Sequence, residues 1–326
     1  MSILLTGSVA FDYLMSFPGY FKDHILPDRL DSLSLSFLVD SMTRLRGGVA
    51  PNIAYTLALL GGRPRLWAAV GEDFEEYRLW LEGKGVDTSG ARVIPGVFTA
   101  SFFVNTDRSN AQIASFYPGA MAQASKLSLH ELEKDRPDLV VISPNDPGAM
   151  NQYVSECQEM KLSYIYDPSQ QLVRLTAEDV RLGIQGAMAL FVNEYEFALI
   201  EKMTSSNPRV LLESNPGSFI VVTQGEHGAA IYTSDQEYQV PAIPPDCCAD
   251  PTGVGDAFRG GFLTGYRLGM DFPTCGRMGA LAATFCLEKP GPQGHTYTPA
   301  EFVTRYRTLF DDRGKLDVLL AQPPAS

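Results

Sequence analysis

The chain has 326 residues, 45% apolar and 20% charged, which at about 150 residues per domain makes two domains or one large α/β domain and excludes a disordered or collagen-like chain. With 26 basic against 38 acidic residues the formal net charge is −12, so nucleic acid and anionic membrane surfaces are disfavoured as partners, while a local anion site stays open. No apolar run reaches the roughly 18 residues of a membrane span, the start has no basic n-region, and the five cysteines and four histidines show neither CxxC spacing nor a histidine cage, so we expect a cytoplasmic protein with reduced thiols and no zinc site.

In chain order, Ile3–Thr6, Arg65–Val70, Leu139–Ser143, Ser163–Tyr166, Ala189–Val192 and Phe219–Thr223 are short apolar runs closed by Gly, Pro or Asp. They read as strands buried on both faces. Helices are expected between and after them, over 50–60, 74–83, 147–160, 194–202, 254–268, 272–287 and 298–310. That alternation predicts a mostly parallel sheet covered on both sides. Two regions break the pattern. Over 33–42, Leu33, Leu35, Phe37 and Val39 alternate with mostly polar residues. Over 98–104, Phe98, Ala100, Phe102 and Val104 alternate likewise, followed by Gln112, Ala114 and Phe116. These read as half-exposed antiparallel strands, forming either one small β lid or two separate hairpins.

Two glycine-rich stretches carry chemistry. Arg46-Gly-Gly-Val-Ala-Pro-Asn52-Ile-Ala54 leads into an apolar helix. Its glycines allow close backbone approach to a ligand, and the Asn52 amide can serve vicinal hydroxyls or merely its own backbone. Asp250-Pro-Thr-Gly-Val-Gly-Asp256-Ala-Phe258 precedes a helix rich in small residues. There the N–H groups of Gly253, Val254 and Gly255 make an anion hole, and Asp256 in the first turn can take a proton from a hydroxyl. A base beside anion donors is what phosphoryl transfer requires; a plain helix start with a tight turn has the same spacing. No Gly-Lys-Ser/Thr follows, so this is no Walker A loop. The third glycine of a dinucleotide fingerprint is also missing.

Together these two stretches resemble the signatures of the ribokinase-like (PfkB) family of carbohydrate and nucleoside kinases. Gly7 to Asp12, Asn193-x-x-Glu196 and Thr223-x-Gly225-x-x-Gly228 follow in matching order. The resemblance spans the whole chain. Ser34–Asp40, Ala111–Ala120 and Asp167–Leu172 look closest to the bacterial adenosine kinase branch.

The resemblance implies a three-layer α/β domain over 1–326, with a lid built by inserts at about 9–45 and 96–118. It implies transfer of the ATP γ-phosphoryl group to the 5′-hydroxyl of a nucleoside, adenosine first, with another nucleoside or a free sugar as the alternative. Asp256 matches the catalytic base, with Gly253, Val254 and Gly255 as the anion hole. Asp12, Gly48 and Asn52 match ribose-holding positions. Asn193 and Glu196 match the motif that organises Mg2+ and phosphate, Glu196 through water. Thr223 and Gly225 match the nucleotide side, and Asp250 and Thr252 match the vicinity of a K+ site. A homodimer through lid strands is expected, the stripe Leu33, Leu35, Phe37 and Val39 suiting an edge that needs cover.

Phe102 and Phe116 fall in the lid segments, where aromatic faces stack on a purine or simply fill the lid core. Ser8, Ser36 and Gln171 read as further base or ribose contacts, although Ser8 at a strand end can equally bond backbone. Pro51 stands where the family carries a small residue and suits a first helical turn. Arg259 reads as paired with a surface acid in preference to phosphate, and Cys247-Cys248 as buried or redox-active.

Overall fold

The computed structural model describes residues 1–32 and 34–321. Leu33 of the alternating stripe therefore lies outside the described residues. The strands are β1 (Ile3–Thr6), β2 (Ala10–Ser16), β3 (Ser41–Gly47), β4 (Arg65–Val70), β5 (Asp87–Val93), β6 (Ala100–Thr106), β7 (Gln112–Tyr117), β8 (Leu139–Ile142), β9 (Tyr164–Tyr166), β10 (Ala189–Asn193), β11 (Phe219–Thr223), β12 (Ala229–Tyr232) and β13 (Glu237–Val240). The helices are α1 (Val49–Leu59), α2 (Glu75–Glu82), α3 (Pro147–Met160), α4 (Ala177–Ile184), α5 (Glu194–Thr204), α6 (Val210–Ser214), α7 (Val254–Arg267), α8 (Phe272–Leu287), α9 (Pro299–Leu309) and α10 (Asp317–Leu320).

Nine strands form one sheet in the order β13-β12-β11-β10-β9-β8-β1-β4-β5. It is parallel from β11 to β5, and β12 and β13 add an antiparallel edge. Side chains alternate across it, and each face has its own core. Leu5, Phe191 and Val221 pack on one side with residues of α1, α7, α8 and α9. Leu4, Val140 and Leu190 pack on the other with residues of α3, α4 and α5. Burial on both faces is why these strands are written as continuous apolar runs. The helix that follows β1, α1, packs on the first face and the helix that follows its neighbour β8, α3, on the second, so the carboxyl ends of β1 and β8 flank a topological switch point, where α/β folds bind ligands.

α7 seats closely on its neighbours. A Cβ at Gly260 would lie 2.5 Å from Thr56 Cβ of α1, and one at Gly261 2.5 Å from the Met278 carbonyl of α8.

The second sheet has the order β3-β2-β6-β7. Of the two off-pattern regions, the alternation over 98–104 and 112–116 falls on β6 and β7, which join β2 and β3 in one sheet and not as a separate hairpin. The strand expected over 33–42 is absent, however: 34–39 is coil and the strand is Ser41–Gly47. Phe37 packs its ring on Phe17, Phe21 and His24 instead of offering an edge. Both edges of this sheet are other strands, β3 and β7, and β7 is exposed along its whole length. Gly7 follows β1 directly, and Asp12 stands inside β2.

Candidate active site

α7 opens at Gly253, whose φ of +78° suits only glycine without strain. A Cβ there would also lie 2.3 Å from Pro292 Cβ. Among the described residues no side chain caps this helix end. Val254 N–H makes only a 3.4 Å contact, with the Pro251 carbonyl. The first turn, which also carries Asp256, is therefore left without a side-chain cap among the described residues, as an anion site at the positive end of the helix dipole requires. Asp250 braces the approach loop: its two oxygens accept N–H bonds from Thr252 at 2.8 Å and Gly291 at 2.9 Å. Burial opposes the Asp250 charge, but those N–H bonds outweigh it and hold the carboxyl below its ordinary range.

α1 brings Asn52 to the same place. Asn52 Nδ2 donates to Asp256 Oδ2 at 2.9 Å. Loss of water around Asp256 pushes its pKa up to about 7, against the pull of Arg259 and of the Asn52 bond; the nearby Asp167 charge adds to the rise. Such a carboxyl is poised to accept a proton near neutral pH.

Arg259, one turn along α7, does not pair at the surface. Its Nη2 donates to Asp167 Oδ1 at 2.7 Å, its Nη1 to the Gly255 carbonyl at 3.0 Å, and both members of the ion pair are buried. Nε approaches Asp167 Oδ2 at 2.6 Å as a charge contact, off the line of a hydrogen bond. Burial alone would lower the Arg259 pKa; Asp167, Asp256 and Glu196 outweigh it and hold the guanidinium charged.

Glu196 faces this group from α5. It forms a reciprocal capping box with Asn193: Glu196 Oε2 accepts from Asn193 N–H and Asn193 Oδ1 from Glu196 N–H, each at 2.8 Å. That leaves Oε1, with a long 3.4 Å bond from Ser169 Oγ. Burial raises the Glu196 pKa against the Asn193 bond and Arg259. One half-committed carboxylate fits Mg2+, which keeps most of its waters and leans on substrate phosphates.

The register of the small sheet joins three further positions. Asp12 pairs with Leu45 across β3 and with Phe102 across β6, and Phe102 pairs with Phe116 on β7. Leu45, Asp12, Phe102 and Phe116 therefore form one cross-strand row on one face. At its start Leu45 packs against Gly291 of the loop after α8, whose N–H Asp250 accepts. Asp12 lies so close to Gly47 that a Cβ there would sit 2.5 Å from Asp12 Oδ2. Burial, then the Asp250 charge, push the Asp12 pKa up to about 6.

Ser8 Oγ accepts the Val49 N–H at 3.2 Å and so binds backbone at the start of α1, where Gly48 is the N-cap. Pro51 sits in the first turn of α1, as its ring favours. Gln171 is buried in the turn after Asp167, and Ser36 is exposed in coil. Thr223 closes β11, its Oγ1 3.5 Å from the Val192 carbonyl, and Gly225 turns over open space. No hydrogen bond joins Ser36, Thr223 or Gly225 to the Asp256 cluster among the described residues. Cys247 and Cys248 are exposed free thiols, not buried ones, because the segment between β13 and α7 runs over the surface. Gln293, Trp80 and Tyr77 are residues the sequence did not flag; Gln293 Nε2 donates to Asn52 Oδ1 at 2.9 Å.

Comparison with known proteins agrees with this architecture. The model of the pfkB family carbohydrate kinases matches residues 10–299. A nucleoside kinase of Methanothermobacter thermautotrophicus is 32% identical over 93% of this chain and 95% of its own length. The structure of Burkholderia thailandensis nucleoside kinase in complex with inosine superposes with a TM-score of 0.82 at 36% identity, covering 94% of this chain and 98% of that one. The adenosine kinase of Sinorhizobium meliloti shares the fold, with a TM-score of 0.71 at 21% identity over 95% of this chain and 99% of that one. The chain belongs to the PfkB family of carbohydrate kinases, with a ribokinase-like fold.

Proposed function

We propose that the protein is an ATP-dependent nucleoside kinase that phosphorylates the 5′-hydroxyl of a purine nucleoside, adenosine giving AMP foremost. The observation that carries this reading is the row Asp12–Phe102–Phe116. It sets a carboxylate able to accept two vicinal hydroxyl protons beside two rings able to stack on a base. A free-sugar kinase has no use for such rings. Inosine is the second acceptor we propose, because the Burkholderia relative was solved with it.

In this reading the small sheet is a lid that closes over both substrates and keeps water from the γ-phosphoryl group. The first-turn amides of α7 receive the charge of the transferring group, and Asp256 Oδ1 takes the 5′-hydroxyl proton. The O5′–Pγ bond forms as the bond from Pγ to the bridging oxygen breaks, and ADP leaves with that electron pair. Asn52 and Gly48 hold the ribose side, Asn193, Thr223 and Gly225 the nucleotide side. Bound Mg2+, held by Glu196 through water, supplies charge neutralisation on the phosphates.

We also propose a homodimer through the exposed β7 edge, whose unpaired backbone groups invite a second strand; light scattering in solution checks it, a monomer overturning it.

The test of function is ADP release from MgATP with adenosine, inosine, guanosine, cytidine, ribose or fructose added singly, and Asp256→Asn as the blank. Turnover with the purine nucleosides and not with ribose is expected. A preference for free sugar overturns the acceptor, and a wild-type rate equal to the blank overturns the kinase.

A further inference from the structure

We propose that Gln293 is a positioning residue for Asp256, fixing through Asn52 which way an amide dipole points at the carboxylate. The proposal rests on the reading of Asp256 as proton acceptor. Its basis is a chain of hydrogen bonds whose direction is set at one end. The Trp80 indole can only donate. Its Nε1–H donates to Gln293 Oε1 at 3.1 Å, which settles the Gln293 amide orientation. Gln293 Nε2 then has two protons to give. One goes to the Tyr77 hydroxyl oxygen, whose own proton is committed to the Gly47 carbonyl at 3.0 Å. The other goes to Asn52 Oδ1 at 2.9 Å. Asn52 is left with its NH2 end toward Asp256 Oδ2.

Asn52 and Gln293 are buried and Tyr77 is fully so, and water cannot readily substitute for a lost partner. With Gln293 removed, only the carboxylate holds the Asn52 amide, and its oxygen can turn to accept the proton of protonated Asp256. The ionised carboxylate then loses a donor and its proton is held more tightly. The same Gln293 amide steadies, through Tyr77, the Gly47 backbone against which Asp12 lies. One side chain from the loop after α8 thus references both the proton acceptor and the hydroxyl-binding loop to the indole of α2.

The other groups that bear on Asp256 are Arg259 of α7, Asp167 after β9, Cys286 of α8 and Tyr77 of α2. The variants below leave all of them in place.

Gln293→Met keeps volume and removes both donations; Trp80→Phe removes the indole N–H together with part of the ring that faces Tyr55, Arg46 and Lys84. Each is assayed with adenosine and MgATP from about pH 5 to pH 9, beside wild type and Asp256→Asn. In Gln293→Met we expect kcat to fall about tenfold, nucleoside KM to change by less than about threefold, and the acid limb of the rate profile to move up by about half a unit to one unit. Trp80→Phe should move the limb the same way by less. If both variants keep the wild-type kcat and acid limb while Asp256→Asn is inactive, the positioning role falls and the base survives. If Asp256→Asn turns over normally, both fall. A lowered melting temperature with an unmoved acid limb marks a purely structural role and overturns the proposal. Should Gln293→Met fail to fold, the acid limb of Trp80→Phe decides alone.

Discussion

Arg259 Nη2 and Asp167 Oδ1 stand 2.7 Å apart with both side chains shut away from water, directly beneath the helix turn that carries Asp256. Removing one member leaves a buried uncompensated charge. Arg259→Met should therefore lose about 3–5 kcal/mol of stability, while Arg259→Met combined with Asp167→Leu should recover most of it. Denaturant unfolding of the two variants checks this. A single variant as stable as wild type would show that the pair is not closed to solvent.

The raised Asp256 pKa sets a pH dependence of activity. The group acts as acceptor only when ionised, so turnover should rise through about pH 7 and level off above it. Asp256→Asn should drop kcat by about 10²–10⁴-fold with nucleoside affinity retained. A flat wild-type profile between about pH 5 and pH 9 would remove Asp256 from the rate-limiting step.

Stability should respond to the same group with the opposite sign. Between the ordinary 3.8 and about 7 the folded chain holds a proton that the unfolded chain has released. The Asp256 contribution to stability is therefore greatest at low pH and declines as pH rises through that window. Asp256→Asn removes a charge that burial penalises and should raise the melting temperature by about 1–4 °C at pH 8, with little effect near pH 4. An equal change at both pH values would show that the shift has another source.

Asp12 should act as a hydroxyl sensor. A carboxylate left facing a missing 2′-hydroxyl has no partner, so 2′-deoxyadenosine should lose at least about 10²-fold in kcat/KM against adenosine. In Asp12→Ala that ratio should shrink because both acceptors are then poor. Parallel kinetics on the two nucleosides would reveal it, and an unchanged ratio places the hydroxyl contact elsewhere.

Phe102 and Phe116 separate a nucleoside site from a sugar site. Each ring replaced by Ala should weaken adenosine binding by about 1–3 kcal/mol while ribose binding stays the same. Calorimetric titration of both ligands reads this directly. Equal losses for both would return the rings to packing.

The parallel sheet was legible because burial on two faces writes a strand as an unbroken apolar run; Phe219–Thr223 is recovered residue for residue. Of the small sheet only half was legible: the alternation over 98–104 and 112–116 falls on the antiparallel pair β6 and β7, while β2 and β3 were missed. β3 is largely exposed and reads Ser-Met-Thr-Arg-Leu-Arg-Gly, and β2 carries Asp12 at its centre. The period-two signal fell instead on 33–42, where Phe37 is half-buried in a local aromatic cluster and not covered by strand pairing. Asp256, Gly253 and Asn52 were legible because local glycine spacing marks a helix start. Gln293 was not, since its partner Trp80 lies 213 residues away and a glutamine between Pro292 and Gly294 announces nothing. Arg259 was misplaced for the same reason: the acid it meets is 92 residues distant.

The glycine contacts that clamp α7 between α1 and α8 have an evolutionary reach. A helix seated backbone to backbone has no room to roll, so its amides and Asp256 keep one bearing whatever happens on the small sheet. The residues proposed to choose the acceptor's base and hydroxyls, Asp12, Phe102 and Phe116, sit away from α7 on strands of the small sheet. Heritable change can therefore rewrite acceptor choice on those strands while the phosphoryl-transfer helix is inherited intact. A family spanning carbohydrate and nucleoside acceptors is the diversity that such a division permits.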